Sequence, residues 1–179
     1  MKIKRQVVAI MGTPGVGKTT FARKLSKKLG AKLIEANSVV KEYKLYTGAD
    51  KFGTKIVKMK KFEKVINKIA DDEEKIVLEG HLLSDIKIKD AIAIVLREHL
   101  DIIWKRLKKR GYENEKIMEN ITSEAVDYSG TEAAKNYKKI YEFLSSDRML
   151  MEKTINAIKG IGKTENIELL EELLQFIKK

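Results

Sequence analysis

Apolar residues in this chain fall into two rhythms. Short, nearly continuous runs occur at Gln6–Met11 (QVVAIM), Ala31–Ala36 (AKLIEA), Lys75–Glu79 (KIVLE) and Ala91–Leu96 (AIAIVL). Runs of this length predict strands, and the most apolar of them predict strands covered on both faces of a parallel sheet. Between them, apolar positions recur at helical spacing. Phe21, Ala22, Leu25 and Leu29 predict a helix over Lys18–Leu29, closed by Gly30 because glycine takes the left-handed C-cap conformation at little cost. Ser38–Tyr43 reads as a short helix. Phe62, Val65, Ile66 and Ile69 mark another, and Leu100, Ile103, Trp104 and Leu107 one that ends near Gly111. Asn114 is placed to cap a long helix running through Ile117, Ile121 and Ala125 towards Leu144. Thr154–Ile158 (TINAI) is the candidate fifth strand, and Ile167, Leu170, Leu173, Leu174 and Ile177 make a terminal helix. Asp71–Glu74 is an acidic turn. Tyr46–Lys58 has no clear period and holds Gly48 and Gly53, so it reads as a loop or mobile arm.

Strands alternating with helices predict an α/β fold: one domain over residues 1–179, with a mostly parallel five-stranded sheet between two helical layers. In such sheets ligands lie beyond the carboxyl ends of the strands. The residues after the first strand, Gly12-Thr13-Pro14-Gly15-Val16-Gly17-Lys18-Thr19, fit G-x-x-x-x-G-K-[ST]. Glycines let the backbone wrap closely and aim N–H groups at phosphate oxygens, and the following helix presents its positive end to the same anion. On this pattern Gly15, Val16, Gly17, Lys18, Thr19 and Thr20 hold a nucleotide triphosphate. Lys18 reaches the outer phosphates and the Thr19 hydroxyl ligates Mg2+. The third strand ends in Glu79, where such proteins place the acid that orients the metal or its water. His81 stands two residues on, able to position water or touch a phosphate, or to serve as a plain structural partner. Arg97 follows the fourth strand and is read as an acceptor contact. Arg110, before Gly111, suits a lid that closes over nucleotide, and Arg106, a turn earlier, reads equally as solvated.

Composition narrows the chemistry. The absence of cysteine excludes disulfides, thiolate zinc sites, iron–sulfur clusters and a thiol nucleophile. The longest apolar runs fall well short of the roughly 18 residues of a membrane span, so no membrane contact is predicted and the chain reads as cytoplasmic. The net charge of +11 is uneven. Residues 1–30 hold eight basic and no acidic residues, 41–70 nine against three, and 104–118 six against two, while 71–103 are net acidic. Such blocks suit an anionic partner, or a solvated lysine-rich surface.

The motifs together resemble a known family, the atypical adenylate kinases typified by the coilin-interacting nuclear ATPase, with archaeal members known as "putative adenylate kinases". The resemblance runs from about Gln6 to Glu124, with a weaker match in the terminal helix. It rests on GTPGVGKTT at Gly12–Thr20, Leu45-Tyr46-x-Gly48-x-Asp50 and Val95-Leu96-Arg97. It also rests on Arg106-Leu107-x-x-Arg110-Gly111-Tyr112 and Glu119-Asn120-Ile121-x-x-Glu124. The resemblance implies a P-loop nucleoside monophosphate kinase with a short acceptor arm near 35–58 and a short lid near 109–119. It implies ATPase activity and a role in small ribosomal subunit maturation, with a small-subunit ribosomal protein and pre-ribosomal RNA as partners. It maps an acid-x-histidine motif onto Glu79-Gly80-His81, a lid arginine onto Arg110, and an adenine-side contact onto Lys163. The chain departs from the pattern in three places. Glu79 stands for an aspartate, Asn37-Ser38-Val39-Val40-Lys41 stands for a Gly-Asp-Leu-x-Arg string, and Leu144–Lys159 looks longer than its counterpart. Lys41 puts a lysine point charge where the pattern has an arginine fork, which is not a neutral swap for recognising the monophosphate.

Two functions follow. In one, the chain moves the γ-phosphoryl of Mg·ATP to an AMP-like monophosphate, with Lys41 and Arg97 on the acceptor and Lys18, Glu79, His81 and Arg110 at the transfer. In the other, hydrolysis aided by Glu79 and His81 drives ribosome assembly, with little kinase activity and the basic arm facing RNA. A small-metabolite kinase, for shikimate or dephospho-coenzyme A, is a third possibility on the same core.

Overall fold

In the computed structural model, which describes residues 5–53 and 55–177, the apolar run Gln6–Met11 is strand β1, at the centre of a five-stranded sheet. Its side chains alternate between two cores. Val7, Ala9 and Met11 face one layer and Val8 and Ile10 the other, which is why the run is apolar throughout. The chain continues through α1 (Lys18–Leu29), β2 (Lys32–Glu35), α2 (Ala36–Glu42), a hairpin of β3 (Tyr46–Ala49) and β4 (Lys55–Val57), α3 (Met59–Asp71) and β5 (Lys75–Glu79). A 3-10 turn (His81–Asp85), β6 (Ile92–Arg97), α4 (Leu100–Lys109), α5 (Asn114–Ala125), α6 (Tyr128–Asn136), β7 (Lys139–Leu144), α7 (Leu150–Lys159) and α8 (Leu170–Ile177) complete it.

The sheet order is β2-β5-β1-β6-β7, and all four pairings are parallel. One face carries α2, α3, α6 and the 3-10 turn, through residues such as Val39, Phe62, Ile66, Leu83 and Ala133. The other carries α1, α4, α5 and α7, through Phe21, Leu25, Ile103, Leu107, Ile121 and Leu150. This is the three-layer α/β/α arrangement. The chain passes from β1 to β2 and β5 on one side and then to β6 and β7 on the other, so the topological switch lies at the carboxyl end of β1.

Four elements differ from the sequence reading. The segment Tyr46–Lys58 is not a plain loop but the β3–β4 hairpin, with Tyr46 opposite Val57 and a bulge before Gly48. Asn114 begins α5 rather than capping it, and Glu113 takes the extended cap conformation. The long helix stops at Ala125, because Asp127 adopts the left-handed conformation (φ 50) and its carboxylate caps α6 by accepting from the Gly130 N–H at 3.1 Å. Thr154–Ile158 lies inside α7, where Thr154 and Ala157 share the buried face and Gly160 supplies the left-handed C-cap. The fifth strand is β7. Its outer edge is covered by the following segment: the Glu165 N–H donates to the Glu142 carbonyl at 3.1 Å, and the Leu144 N–H donates to the Glu165 carboxylate at 3.2 Å.

Candidate active site

The glycine-rich loop leaves β1 where β6 ends. A Cβ on Gly12 would lie 2.3 Å from the Leu96 carbonyl oxygen, so only glycine lets the two backbones cross. Gly17 (φ 110) forms the N-cap of α1, and a Cβ there would meet the Ser145 hydroxyl beyond β7 at 2.8 Å. Arg106 of α4 clamps the loop from outside. Its guanidinium donates to the carbonyls of Gly15 (3.0 Å) and Val16 (3.2 Å) and lies 3.3 Å from the buried Glu98 carboxylate. The sequence reading left Arg106 as a possibly solvated residue. Its loop partners lie about 90 positions away, and only the Arg106-Leu107-x-x-Arg110 string marked it.

Lys18 is buried at the start of α1, and its ammonium donates to the Thr13 carbonyl at 2.9 Å. Burial pulls its pKa down to about 8, against the attraction of Glu79 and Glu124. Glu79 is buried at the end of β5, where desolvation pushes its carboxyl upward while Lys18 and the Thr19 hydroxyl hold it back. The Thr19 hydroxyl donates to Glu79 at 3.2 Å. The first strand and β5 are neighbours in register, Ile10 opposite Glu79, which is what brings the two residues together. Two hard oxygens so close fit Mg2+, which takes one or two protein oxygens and fills its shell with phosphate oxygens and water. Among the described residues no cluster of three His, Cys, Asp or Glu forms an all-protein metal cage. His81 opens the 3-10 turn beyond Glu79. Burial, together with the charges of Lys18 and Lys116, pulls its pKa down to about 4, so the imidazole is neutral at physiological pH.

From Thr13 and Pro14 a cavity of about 1010 Å³ extends past His81 and Asp85 to Asn37, Val40 and Lys41 of α2. The hairpin, through Lys51, Phe52 and Lys55, and the Gly111–Glu113 connection with Lys116 and Asn120 of α5 line it too. The hairpin tip and α5 meet across it. Lys51 pairs with Glu115, Lys116 lies 3.8 Å from Asp50, and the Lys51 and Lys116 ammoniums each lie 4.7 Å from the centre of the Phe52 ring. At the far end the Tyr128 hydroxyl donates to Asp85 at 2.8 Å.

Of the predicted residues, the structure gathers Gly15, Val16, Gly17, Lys18, Thr19, Glu79 and His81 around the loop, with Thr20 facing solvent. Lys41 is exposed on the cavity wall. Arg110 is exposed at the end of α4, and its charge is felt at Lys18. Lys163 is exposed in the segment after α7. Arg97 is not brought to the acceptor side. It is 1% exposed, and its guanidinium is taken by Glu124 (3.0 Å, and the Glu124 carbonyl at 2.7 Å), Asp127 (2.7 Å) and Glu142 (3.2 Å). Arg97 is a structural cation that ties β6, α5 and β7 together, which corrects its reading as an acceptor ligand.

Comparison with known proteins agrees with this geometry. A family model described as an AAA domain matches residues 8–127. The chain is 41% identical over 156 residues to a "Putative adenylate kinase" of Methanocaldococcus jannaschii, covering 85% of each chain. It is 33% identical to the protein of the same name from Pyrococcus furiosus, covering 96% of this chain and 97% of that one. Among solved structures, shikimate kinase from Bacteroides thetaiotaomicron superposes with a TM-score of 0.58 at 18% identity, covering 95% and 98% of the two chains. That last likeness is one of fold alone.

Proposed function

The chain belongs to the family of the archaeal "Putative adenylate kinase" proteins, and from that premise we propose that it transfers the γ-phosphoryl of ATP to a nucleoside monophosphate of the AMP kind. That it is a kinase-like P-loop enzyme follows from the family. The choice of acceptor is our reading, and the cavity carries it: one space joins the phosphate loop to a second compartment walled by α2, the hairpin and the lid connection. A triphosphate held by the loop leaves that compartment for a second substrate.

In this reading Lys18 gives up the Thr13 carbonyl and turns its charge to the outer phosphates. Thr19 and Glu79 would hold Mg2+, which when bound spreads the charge of the transferring group. Arg110 closes on the donor phosphates from the lid, and Lys163 flanks the adenine. Lys41 meets the acceptor phosphate, with Lys51 and Lys55 nearby on the cavity wall. The bond between the β–γ bridging oxygen and the γ-phosphorus breaks, a bond from an acceptor phosphate oxygen forms, and two diphosphates leave. The acceptor is already ionised, so no strong base is needed. In a coupled assay with each monophosphate, AMP is expected to give ADP above the rate of bare hydrolysis. The same rate with and without every monophosphate would sink the proposal.

One observation favours a second activity. With Arg97 withdrawn, the described residues lining the acceptor side include lysines and no arginine, while neutral His81, two residues after Glu79, lines the same cavity and is suited to hold a water. We propose that the chain also hydrolyses ATP and, like the coilin-interacting nuclear ATPase it resembles, acts in the cytoplasm in small-subunit maturation, on a small-subunit ribosomal protein and pre-ribosomal RNA. Affinity capture from extract with and without ATP tests this, and recovery of no ribosomal material in either condition counts against it.

A further inference from the structure

The end of the sheet opposite the phosphate loop carries a second cavity, of about 860 Å³. It opens across the amino ends of β1, β6 and β7, roughly one strand length, about 20 Å, from the catalytic cleft. Its floor is apolar, made by Val7, Ile88, Ala91, Ile92, Tyr137 and Ile158. Its rim is basic, made by Arg5, Lys87, Lys89, Lys138 and Lys139, with Glu63 and Asp90 the acids. Arg5 is paired with Asp71 and lies 4.0 Å from Asp90. The other four cations are exposed and, among the described residues, their ammoniums meet no partner. Glu63 is engaged with the Lys87 N–H at 3.3 Å.

A row of lysines leads into this cavity along α3. Lys60, Lys64 and Lys68 stand at i, i+4 and i+8 on one side of the helix, with Lys61 beside them, all exposed and without an acid partner among the described residues. Glu63 and Asn67, one position earlier on each turn, form the seam to the cavity. The Asn67 amide donates to the Lys87 carbonyl at 2.8 Å and accepts from the Lys89 N–H at 3.0 Å. Like charges at i, i+4 destabilise a helix. Among the described residues none of these ammoniums is paired with an acid, although Glu63 and Asp72 lie on the same stretch of chain, so the row is free to take an anion from outside. From Lys60 to Lys68 the helix rises about 12 Å, more than one phosphate group spans. The row presents no apolar ridge for insertion into a bilayer. Evenly repeated cations beside a concave, apolar-floored pocket match a strand with evenly repeated phosphates and ring-shaped bases.

We propose that α3 and the cavity at the amino ends of the strands form a nucleic-acid-binding face. Phosphates run along Lys60, Lys64 and Lys68, and one nucleotide seats among Lys87, Lys89, Lys138 and Lys139. The face is independent of the phosphotransfer reading. It rests on the RNA contact proposed above and moves that contact from the arm to the rear of the sheet.

The test measures binding of labelled single-stranded RNA and DNA oligonucleotides of about 20 nucleotides between roughly 0.05 and 0.2 M salt. The wild-type chain is expected to bind with affinity that falls steeply with salt. Lys60→Gln/Lys64→Gln/Lys68→Gln is expected to lower the slope of log affinity against log salt by about 2, at ~0.7 per phosphate contact. That corresponds to roughly 10- to 100-fold weaker binding near 0.1 M salt. Lys87→Gln/Lys89→Gln/Lys138→Gln/Lys139→Gln is expected to act similarly. Lys24→Gln/Lys27→Gln/Lys28→Gln removes as much charge as the α3 variant from α1, on the other face of the sheet, and is expected to change affinity less than about twofold. All three variants should keep wild-type activity in the coupled assay, which judges the kinase reading separately. Equal losses in the α1 control overturn the face, as does wild-type binding by both other variants. Absence of oligonucleotide binding overturns the face and the RNA contact together. Binding to phosphatidylserine vesicles alone assigns the surface to a membrane and overturns the proposal.

Discussion

Lys18 is costly where it sits. Its folded pKa of about 8 lies below the ordinary lysine value of 10.5, so between those values the unfolded chain binds more protons and stability rises with pH. Below pH 8 the full cost is present, about 3 kcal/mol. Lys18→Met is therefore expected to raise the unfolding free energy of the nucleotide-free protein at pH 7, read by urea titration, by about 1–3 kcal/mol, while cutting kcat/KM by roughly 10²–10³. A stability gain without an activity loss would remove Lys18 from the site. Arg97 behaves in the opposite sense. Its removal leaves Glu124, Asp127 and Glu142 facing one another without their cation, so Arg97→Met should cost about 3–5 kcal/mol in stability. The acceptor KM of the folded fraction, read in the coupled assay, should stay within about twofold. A large rise in KM at unchanged stability would restore its reading as a ligand. The two residues also show what the sequence discloses at this scale. The phosphate loop is contiguous, so spacing alone identifies Lys18 and Thr19. A cation after a strand reads the same whether it faces a substrate or carboxylates, and the carboxylates that claim Arg97 lie 27 to 45 positions further on.

In the proposed transfer the hairpin is the element that walls the acceptor compartment. It is held to α5 by the Lys51–Glu115 pair, by Lys116 near Asp50, and by two ammoniums on Phe52. An exposed ion pair contributes little, and the ring contacts add modestly to it, so the contact between the hairpin and α5 is weak. Glu115→Lys sets like charges against each other across the cavity. It is expected to speed hydrogen exchange of residues 46–53 and 55–57 by about five- to tenfold and to raise the acceptor KM, with ATP affinity unchanged. Unchanged exchange would mean that the hairpin is anchored elsewhere. The sequence concealed this hairpin because it lies off the main sheet and buries little, so no alternation of apolar and polar positions was selected. It concealed β7 for a related reason. An edge strand with Lys139 and Glu142 has no continuous apolar run, whereas Thr154–Ile158 mimics a short strand because Ile155, Ala157 and Ile158 pack against the core from α7. The strands β1, β5 and β6 were legible because they are covered on both faces.

At the scale of the whole molecule, a chain of hydrogen bonds links α8 to the phosphate loop. Glu172 of α8 accepts from the Leu100 N–H at 3.0 Å and from the His99 ring at 2.6 Å, and so caps α4, whose Arg106 holds the loop carbonyls. The bond to Glu172 raises the His99 pKa above its ordinary value, with Glu98 and Asp101 adding attraction. A raised folded-state pKa means that the contribution is complete below the unfolded value of about 6.5 and is lost as pH climbs through the folded value. The docking of α8 should therefore loosen from pH 6.5 upward. Trp104, the only tryptophan, reports it directly, since its ring packs on Phe176 of α8 at 5.2 Å between centroids. Its emission is expected to shift to the red across that window, and Glu172→Gln should abolish the shift. His81 titrates near pH 4, outside the window, and the Lys18 step near pH 8 is removed in Lys18→Met. A red shift that survives Glu172→Gln would break the link between His99 and α8. If the shift disappears and ATP affinity falls in the same variant, the last helix of the chain helps to hold the first loop.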